Sequence, residues 1–157
     1  MKVLFVCTGN SCRSVMAERL FNHMAAHRGL QDWEARSAGT KPDPAFPTPP
    51  AAHAVLAERG ITADPHAPQA VSPELLEWAD LVLALAQSHL DWLLKNFPKQ
   101  QDKLLLFLDY AGFGAKDVAD PIGGSQDVYR STRDDIEAGL QALMERDAHG
   151  TIDEAGS

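Results

Sequence analysis

The chain has 157 residues, of which 45% are apolar, and a formal net charge of -8. A chain of this length can bury enough surface for one domain with a sizeable core, so a second domain is not expected. The acidic balance argues against nucleic acid or anionic lipid as a partner, because broad phosphate binding needs clustered Lys and Arg. The opening apolar run is too short for a signal peptide, and no later stretch is long enough to cross a bilayer. We therefore expect a cytoplasmic protein that binds neither nucleic acid nor membranes.

The first part of the chain alternates between strand and helix patterns. A first strand is predicted at KVLFV, and Ser14 is the expected N-cap of a helix that ends near Arg28. A second strand is predicted to end at Gly39, before the loop KPDPAFPTPP, whose prolines preclude regular structure. This alternation is typical of a parallel sheet.

The second part of the chain continues the alternation. A helix is predicted near residues 51–59, and a short helix is predicted to start at Ser72-Pro73. Strands are predicted at DLVLAL and KLLLFL, and a closing helix at SQDVYRSTRDDIEAGLQALMER. The predicted fold class is therefore α/β.

These elements predict one domain with a central parallel sheet of about four strands, flanked by helices on both faces. Residues 1–147 are expected to form the domain, and residues 148–157 a disordered tail. The loop that follows strand 1 is the expected phosphate-binding site.

The stretch VCTGNSCRS places Cys7 at the junction between strand 1 and the first helix. Such a loop directs several unpaired backbone N–H groups inward, and the helix dipole adds positive charge, so it can bind an anion. The same field favours thiolate over thiol at Cys7, which would make this side chain a nucleophile. From its place at a strand end alone, Cys7 would be better interpreted as a buried, inert cysteine, and it is Arg13-Ser14 at this spacing that favours catalysis.

Other residues of the loop fit phosphate chemistry. Arg13 can direct its guanidinium at two phosphate oxygens, Gly9 can give a tight turn its freedom, and Ser14 can donate a hydroxyl to the thiolate. The sequence near Cys7 and Cys12 lacks the further ligands of a zinc site, so neither a metal nor another cofactor is expected. The predicted phosphate-binding residues are Thr8, Gly9, Asn10, Ser11, Cys12, Arg13 and Ser14.

The loop resembles the signature Cys-x5-Arg-Ser of the low-molecular-weight protein tyrosine phosphatase family and of its bacterial protein arginine phosphatase subgroup. This resemblance implies that Cys7 forms a phosphocysteine intermediate, that Arg13 clamps the phosphate and that Asp120 protonates the leaving group. The similarity continues along most of the chain, at MAERLF, RSAGT, DLVLAL and DPIGGSQDVYRSTRDDI.

The resemblance also implies a hydrogen-bond network that holds the loop in shape, formed by Asn10, Ser14, Ser37 and His66. For His66 an ordinary paired loop histidine is an equally good interpretation. The remaining histidines, including His89, are interpreted as structural or surface groups.

Two departures from the tyrosine-specific members concern the substrate. Ser11 stands where those members carry a bulky aliphatic residue and the arginine phosphatases a small hydroxylated one. The segment after Pro121 offers no aromatic residue to stack on a phenyl ring, whereas Asp120 could pair with a planar guanidinium. We therefore expect protein phosphoarginine as the substrate, with phosphotyrosine as the alternative, and a monomeric enzyme that acts on phosphorylated proteins.

The loop is also compatible with other classes of protein. An arsenate reductase of this fold would need a third cysteine, which the sequence lacks, and a noncatalytic phosphate-binding module would need neither Cys7 nor Asp120. A small sugar phosphate or a free phosphoamino acid stays open as substrate. Cys12 could capture a peroxide-oxidised Cys7 as a disulfide, or it could simply fill space in the loop.

Overall fold

The structure is a computed structural model that describes residues 1–62 and 64–156, with side chains described as far as residue 148. Its four strands are β1 (Lys2–Cys7), β2 (Glu34–Gly39), β3 (Leu81–Ala84) and β4 (Leu104–Leu106). Its helices are α1 (Arg13–His27), α2 (Pro50–Ala57), α3 (Pro73–Trp78), α4 (Gln87–Asn96), α5 (Phe107–Tyr110) and α6 (Gln126–Gly156), with a 3₁₀ turn at Pro98–Lys103.

The strands form one parallel sheet in the order β2-β1-β3-β4. Both faces are covered, and β1 shows this most clearly because its side chains alternate between two apolar clusters. Val3, Phe5 and Cys7 pack with side chains of α1, α2, α5 and α6, whereas Leu4 and Val6 pack with side chains of α3 and α4. A strand covered on both sides is expected to be apolar along its buried length, as VLFV is after the exposed Lys2. The α/β fold class and the parallel sheet are confirmed.

The strand order determines where a ligand can bind. The chain runs from β1 through α1 to β2 on one side, and then crosses to β3 on the other side of β1. In open parallel sheets of this kind, ligands bind outside the carboxyl ends of the strands, at the point where the strand order reverses. Here that point lies beyond Cys7 at the end of β1 and beyond Ala84 at the end of β3.

Three local predictions need correction. Ser14 is not the N-cap of α1, because the helix begins at Arg13 after Cys12, and the Ser14 hydroxyl is used elsewhere. KLLLFL is not one strand: it ends after Leu106, and Phe107 turns into α5 with its ring edge against a core phenylalanine. Helix α4 was not predicted; it is short, and only two of its side chains are buried.

Other boundaries agree closely with the prediction. The side chain of Ser72 caps α3 by accepting a hydrogen bond from the backbone N–H of Leu75 at 3.2 Å. Helix α6 extends over Gln126–Gly156, and Ser157 lies outside the described residues. The disordered tail expected at residues 148–157 stays a prediction. None of the helices in the described part of the chain combines the length and apolar character needed to cross a membrane.

Candidate active site

The loop that follows Cys7 is held by the chain that leaves β2. The backbone N–H groups of Thr40 and Lys41 donate to the carbonyl oxygens of Cys7 and Thr8, each at 2.9 Å. Gly39 makes this approach possible, because a Cβ atom at that position would lie 2.4 Å from the Thr8 carbonyl oxygen. Gly39 was predicted only as the end of a strand.

Asn10 is the centre of the loop. It is fully buried and has a φ of 52°, in the left-handed region that asparagine tolerates better than most residues. Its Oδ1 accepts a hydrogen bond from the backbone N–H of Gln69 at 3.0 Å, which fixes the orientation of the amide. Nε2 of His66 lies 2.9 Å from the Asn10 carbonyl oxygen and 3.1 Å from its Oδ1. Since both of these atoms are acceptors, Nε2 of His66 carries a proton.

The left-handed conformation was expected at the wrong residue. Gly9 does not have a positive φ, and a Cβ atom there would meet only Oγ of Ser11, at an ordinary 3.5 Å. The conformational freedom that the turn requires is therefore supplied by Asn10, which also provides hydrogen bonds that a glycine could not.

The hydrogen bonds of Asn10 continue to the sulfur of Cys7. Nδ2 of Asn10 donates to Oγ of Ser14 at 2.9 Å, and the same Oγ lies 2.9 Å from Sγ of Cys7. Because the serine oxygen already accepts from Asn10, its own proton is available to the sulfur. Cys7, the last residue of β1, is buried beside Ser14 in the first turn of α1. The local structure thus directs a hydroxyl donor at the sulfur of Cys7.

Ser37 lies one step further from the loop. Its hydroxyl donates to Oε1 of Glu18 at 3.1 Å, and its carbonyl oxygen accepts from Nε2 of Gln69 at 2.9 Å. Ser37 therefore contacts the network through Gln69, which was not predicted as a network residue.

Arg13 and Asp120 approach each other at the open side of the loop. Nη1 of Arg13 donates to the carbonyl oxygen of Val118 at 2.9 Å, and its Nη2 lies 3.9 Å from Oδ2 of Asp120. The Arg13 side chain is largely buried, whereas that of Asp120 is 51% exposed. Oδ1 of Asp120 accepts from the backbone N–H of Ile122 at 3.0 Å. The segment 117–122, named the acid loop below, thus presents a carboxylate to solvent beside a fixed cation.

Ser11 and Cys12 are both buried in the loop, and both cysteines are free thiols. Burial, reinforced by the nearby Cys7 and Asp120, raises the pKa of Cys12 to about 12. Cys12 is therefore a neutral thiol at physiological pH, in contrast to the nucleophile that its neighbour is equipped to be.

His89 is a further neighbour of the loop that the sequence analysis left without a role. It lies in the first turn of α4, is only 3% exposed, and has Nε2 at 2.9 Å from Oγ1 of Thr8. Burial, with the nearby charge of Arg13, lowers the pKa of His89 to about 4. No motif around His89 in the sequence connects it with a loop 81 residues away.

These groups suit one kind of chemistry. A stabilised thiolate can attack phosphorus, a fixed guanidinium and backbone N–H groups can hold the phosphoryl oxygens, and an exposed carboxylic acid can protonate a leaving group. Within residues 1–62 and 64–148, no group of three or more His, Cys, Asp or Glu side chains is placed to hold a metal ion. The fold and the site together define a cysteine-dependent phosphoryl-transfer class.

The family is shown by comparison with known proteins. The family model described as low molecular weight phosphotyrosine protein phosphatase matches residues 2–151, and the chain belongs to this family. A protein-arginine-phosphatase of Bacillus subtilis (strain 168) is 40% identical over 146 residues, which cover 93% of this chain and 96% of that protein.

Two further relatives represent a different substrate and a solved structure. A low molecular weight protein-tyrosine-phosphatase of Streptomyces coelicolor is 37% identical, with 91% of each chain covered. A solved Cys-to-Ser mutant of YwlE arginine phosphatase, with a phosphorylated active site serine, superimposes with a TM-score of 0.87 at 39% identity, covering 93% of this chain and 95% of that chain. The family thus includes proteins named for phosphoarginine and for phosphotyrosine.

Proposed function

We propose that this chain is a metal-independent protein phosphatase that hydrolyses protein phosphoarginine through a phosphocysteine intermediate on Cys7. The observation that carries the proposal is the hydrogen-bond chain from Asn10 through Ser14 to the Cys7 sulfur, at the bottom of a loop whose open side holds Arg13 and Asp120. The phosphorylated active site serine of the YwlE mutant supports a covalent intermediate in the family.

In the first step the Cys7 thiolate attacks phosphorus. The S–P bond forms as the P–N bond of phosphoarginine breaks, and protonated Asp120 gives its proton to the departing guanidine nitrogen. Arg13 and the loop N–H groups bind the three phosphoryl oxygens, whose negative charge they balance. The product of this step is phosphocysteine, with Asp120 left as a carboxylate.

In the second step the Asp120 carboxylate accepts a proton from water as the water oxygen attacks phosphorus. The S–P bond breaks, inorganic phosphate forms, and the thiolate of Cys7 leaves with the Ser14 proton directed at it. The exposure of Asp120 is suited to this role, because the carboxylate must meet both a leaving group and a water molecule.

The other residues of the predicted network support the loop rather than the reaction. Asn10 and Ser14 direct hydrogen-bond donors towards the sulfur of Cys7. His66 holds Asn10 in position, and Ser37 contacts the network through Gln69. The loop members Thr8, Gly9, Ser11 and Cys12 contribute to the enclosure of the phosphoryl group.

The preference for phosphoarginine is supported by the walls of the site and by the relatives. Ser11 offers a small hydroxyl, and in the acid loop Ile122 is exposed with no aromatic neighbour in sequence, so a phenyl ring would lack a stacking partner. The Bacillus subtilis relative is named for phosphoarginine. Phosphotyrosine is the second candidate, supported by the name of the Streptomyces coelicolor relative.

The test compares kcat/KM for two peptides of the same sequence, one with phosphoarginine and one with phosphotyrosine. We expect the unmodified protein to prefer phosphoarginine and Ser11→Ile to shift the ratio towards phosphotyrosine, because an apolar wall leaves guanidinium N–H groups unpaired. Ser11→Thr, which keeps the hydroxyl, is the matched control and should retain the preference. Efficient hydrolysis of phosphotyrosine alone would transfer the assignment to the second candidate.

We also propose that the protein acts on phosphorylated proteins as a cytoplasmic monomer, without a metal or another cofactor. The net charge of -8 and the absence of a membrane-spanning helix among the described residues are compatible with this setting. Light scattering at micromolar concentration tests the monomer, and a chelator should leave the activity unchanged.

A further inference from the structure

His89 and Thr8 meet in the crevice between β1 and β3, where the strand order reverses. Thr8 follows Cys7 directly and is exposed, whereas His89 lies beneath it in the first turn of α4. The contact between Nε2 of His89 and Oγ1 of Thr8, at 2.9 Å, joins the loop of one strand to the helix that follows the other. The mechanism above does not use this pair.

His89 is neutral in this setting. Its ring is buried, the positive charge of Arg13 disfavours a second proton, and the carboxylates of Asp117 and Asp120 oppose that effect only in part. A neutral imidazole has one N–H donor and one acceptor nitrogen, so the tautomer decides which partner of the Thr8 contact donates.

The environment of the second ring nitrogen determines the tautomer. Nδ1 of His89 is buried and has no hydrogen-bond partner among the described residues. An unpaired buried N–H is rarer in proteins than an unsatisfied acceptor, so the proton belongs on Nε2, where it has a partner. His89 therefore donates to Oγ1 of Thr8, and the hydroxyl proton of Thr8 remains free.

The rest of Thr8 is fixed as well. Its carbonyl oxygen accepts from the N–H of Lys41 and lies against Gly39, so the backbone of the residue has little freedom to rotate. Because His89 donates to one lone pair of Oγ1, the hydroxyl proton of Thr8 is free for another acceptor, and Thr8 is exposed and directly follows the nucleophile. A phosphoryl group bound at Cys7 would supply such an acceptor.

We propose that His89 is a positioning residue that orients the Thr8 hydroxyl as an additional donor to the phosphoryl group. This rests on the proposed function only in placing a phosphoryl group in the loop, and it is independent of what carries that group. A donor that is already oriented loses little entropy on binding, and a hydrogen bond to a charged oxygen is stronger than one between neutral groups.

The experiment measures inorganic phosphate binding by calorimetry, and kcat and KM with p-nitrophenyl phosphate and a phosphoarginine peptide. Thr8→Val keeps the shape of the side chain and removes the hydroxyl, while His89→Leu removes the donor that orients it. We expect each change to weaken phosphate binding roughly 10- to 100-fold and to raise KM for both substrates by a similar factor. Because His89 acts through Thr8, the double variant should be no weaker than Thr8→Val alone.

Two further variants separate positioning from a general structural effect. His89→Gln places an amide N–H near the position of Nε2 and should restore most of the phosphate affinity. His23→Leu, which changes a half-buried histidine on α1, should leave binding and turnover unchanged. Thermal unfolding of each variant identifies any that fail to fold, and Thr8→Val, at an exposed position, is expected to keep its stability.

Several results would overturn the proposal: unchanged phosphate affinity in a folded Thr8→Val, additive losses in the double variant, or no rescue by His89→Gln. A loss of activity seen only with the phosphoarginine peptide would mean that the contact between His89 and Thr8 acts on the leaving group, and this result would also overturn the proposal. If the phosphate affinities behave as expected but no phosphorylated protein or peptide is hydrolysed, the proposed function fails while the assignment of His89 stands.

Discussion

The loop around Cys7 and the acid loop serve the same site but are built in opposite ways. Asn10 and Ser14 are completely buried, and their side chains are hydrogen-bonded to one another and to partners on both sides. Asp120 is half exposed, and its contact with Arg13 is long. The difference shows which parts of the chemistry need a fixed position and which need access to water.

A physical reason can be given for each side. Stabilising a thiolate requires donors that are oriented before the reaction, because reorienting them during the reaction would cost free energy. An acid that becomes a base must reach a leaving group and then a water molecule. An ion pair with an exposed partner contributes little free energy, so Arg13 does not restrain Asp120 strongly. We therefore expect rigidity at Cys7 and mobility at Asp120.

The largest expected effect is at the rigid side. Cys7→Ser should abolish turnover, because a serine hydroxyl is a far weaker nucleophile at neutral pH. Phosphate binding should remain, since the loop N–H groups and Arg13 are unchanged. Steady-state kinetics and calorimetry measure the two quantities. If Cys7→Ser retained activity that a chelator then removed, the cysteine mechanism would be wrong.

The next largest effect is expected at Asp120, in the acid loop. Asp120→Asn should lower kcat on a phosphoarginine peptide roughly 100- to 10,000-fold, the usual contribution of acid–base catalysis. The melting temperature should hardly change, because the side chain is exposed and weakly paired. Asp127→Asn, another exposed carboxylate in an ion pair, is the matched control and should keep full activity. A large loss of stability in Asp120→Asn would show that the acid loop is not the mobile partner.

Asn10 tests whether rigidity itself matters. Asn10→Ala leaves the N–H of Gln69 unpaired and leaves Nε2 of His66 with the backbone carbonyl oxygen of residue 10 alone, and should lower both kcat/KM and the melting temperature, the latter by roughly 2 to 12 °C. Asn10→Asp keeps the side-chain acceptor for Gln69 and His66 but replaces the donor to Ser14 by an oxygen, which would take the serine proton away from Cys7. This second variant should lose activity with a much smaller loss of stability. Equal losses of stability in the two variants would contradict the assigned direction of the hydrogen bonds.

What the sequence could predict depends on whether a residue belongs to a short motif or acquires its role through contacts made in the fold. The spacing of Cys7 and Arg13 after a strand, together with the family resemblance that indicated Asp120, predicts these residues as site residues, because they lie in short continuous motifs. Gly39 and His89 were not predicted as site residues, since their roles depend on contacts with Thr8 that appear only once the strands are arranged in the sheet. Helix α4 was missed for a related reason: it is covered on one narrow side only.

The smallest expected effect is on the rate at which Cys12 forms a disulfide with oxidised Cys7. After a brief pulse of peroxide, the Cys7 thiolate becomes a sulfenic acid, and attack by Cys12 would form a disulfide and release water. With the pKa of Cys12 raised to about 12, the reactive thiolate fraction, and hence the rate of closure, should rise about tenfold for each unit of pH near neutrality. Mass spectrometry of the disulfide over time measures this rate.

Two outcomes would contradict this account of Cys12. A rate of closure that does not depend on pH would contradict the raised pKa of its thiol. A Cys12→Ser variant that regains activity with a thiol reductant as fully as the unmodified protein would contradict a protective role and make Cys12 a residue that only fills space in the loop.

The central claim is that the buried thiol, prepared by its hydrogen bonds, carries the phosphoryl group. The most direct measurement is rapid denaturation of Asp120→Asn during turnover of p-nitrophenyl phosphate, followed by mass spectrometry of the peptide that contains Cys7. This leaving group departs without a proton, so the first step continues while the second, which needs the carboxylate, slows and the intermediate accumulates. We predict a phosphoryl group on Cys7; turnover with no phosphoryl group on that residue would contradict the account.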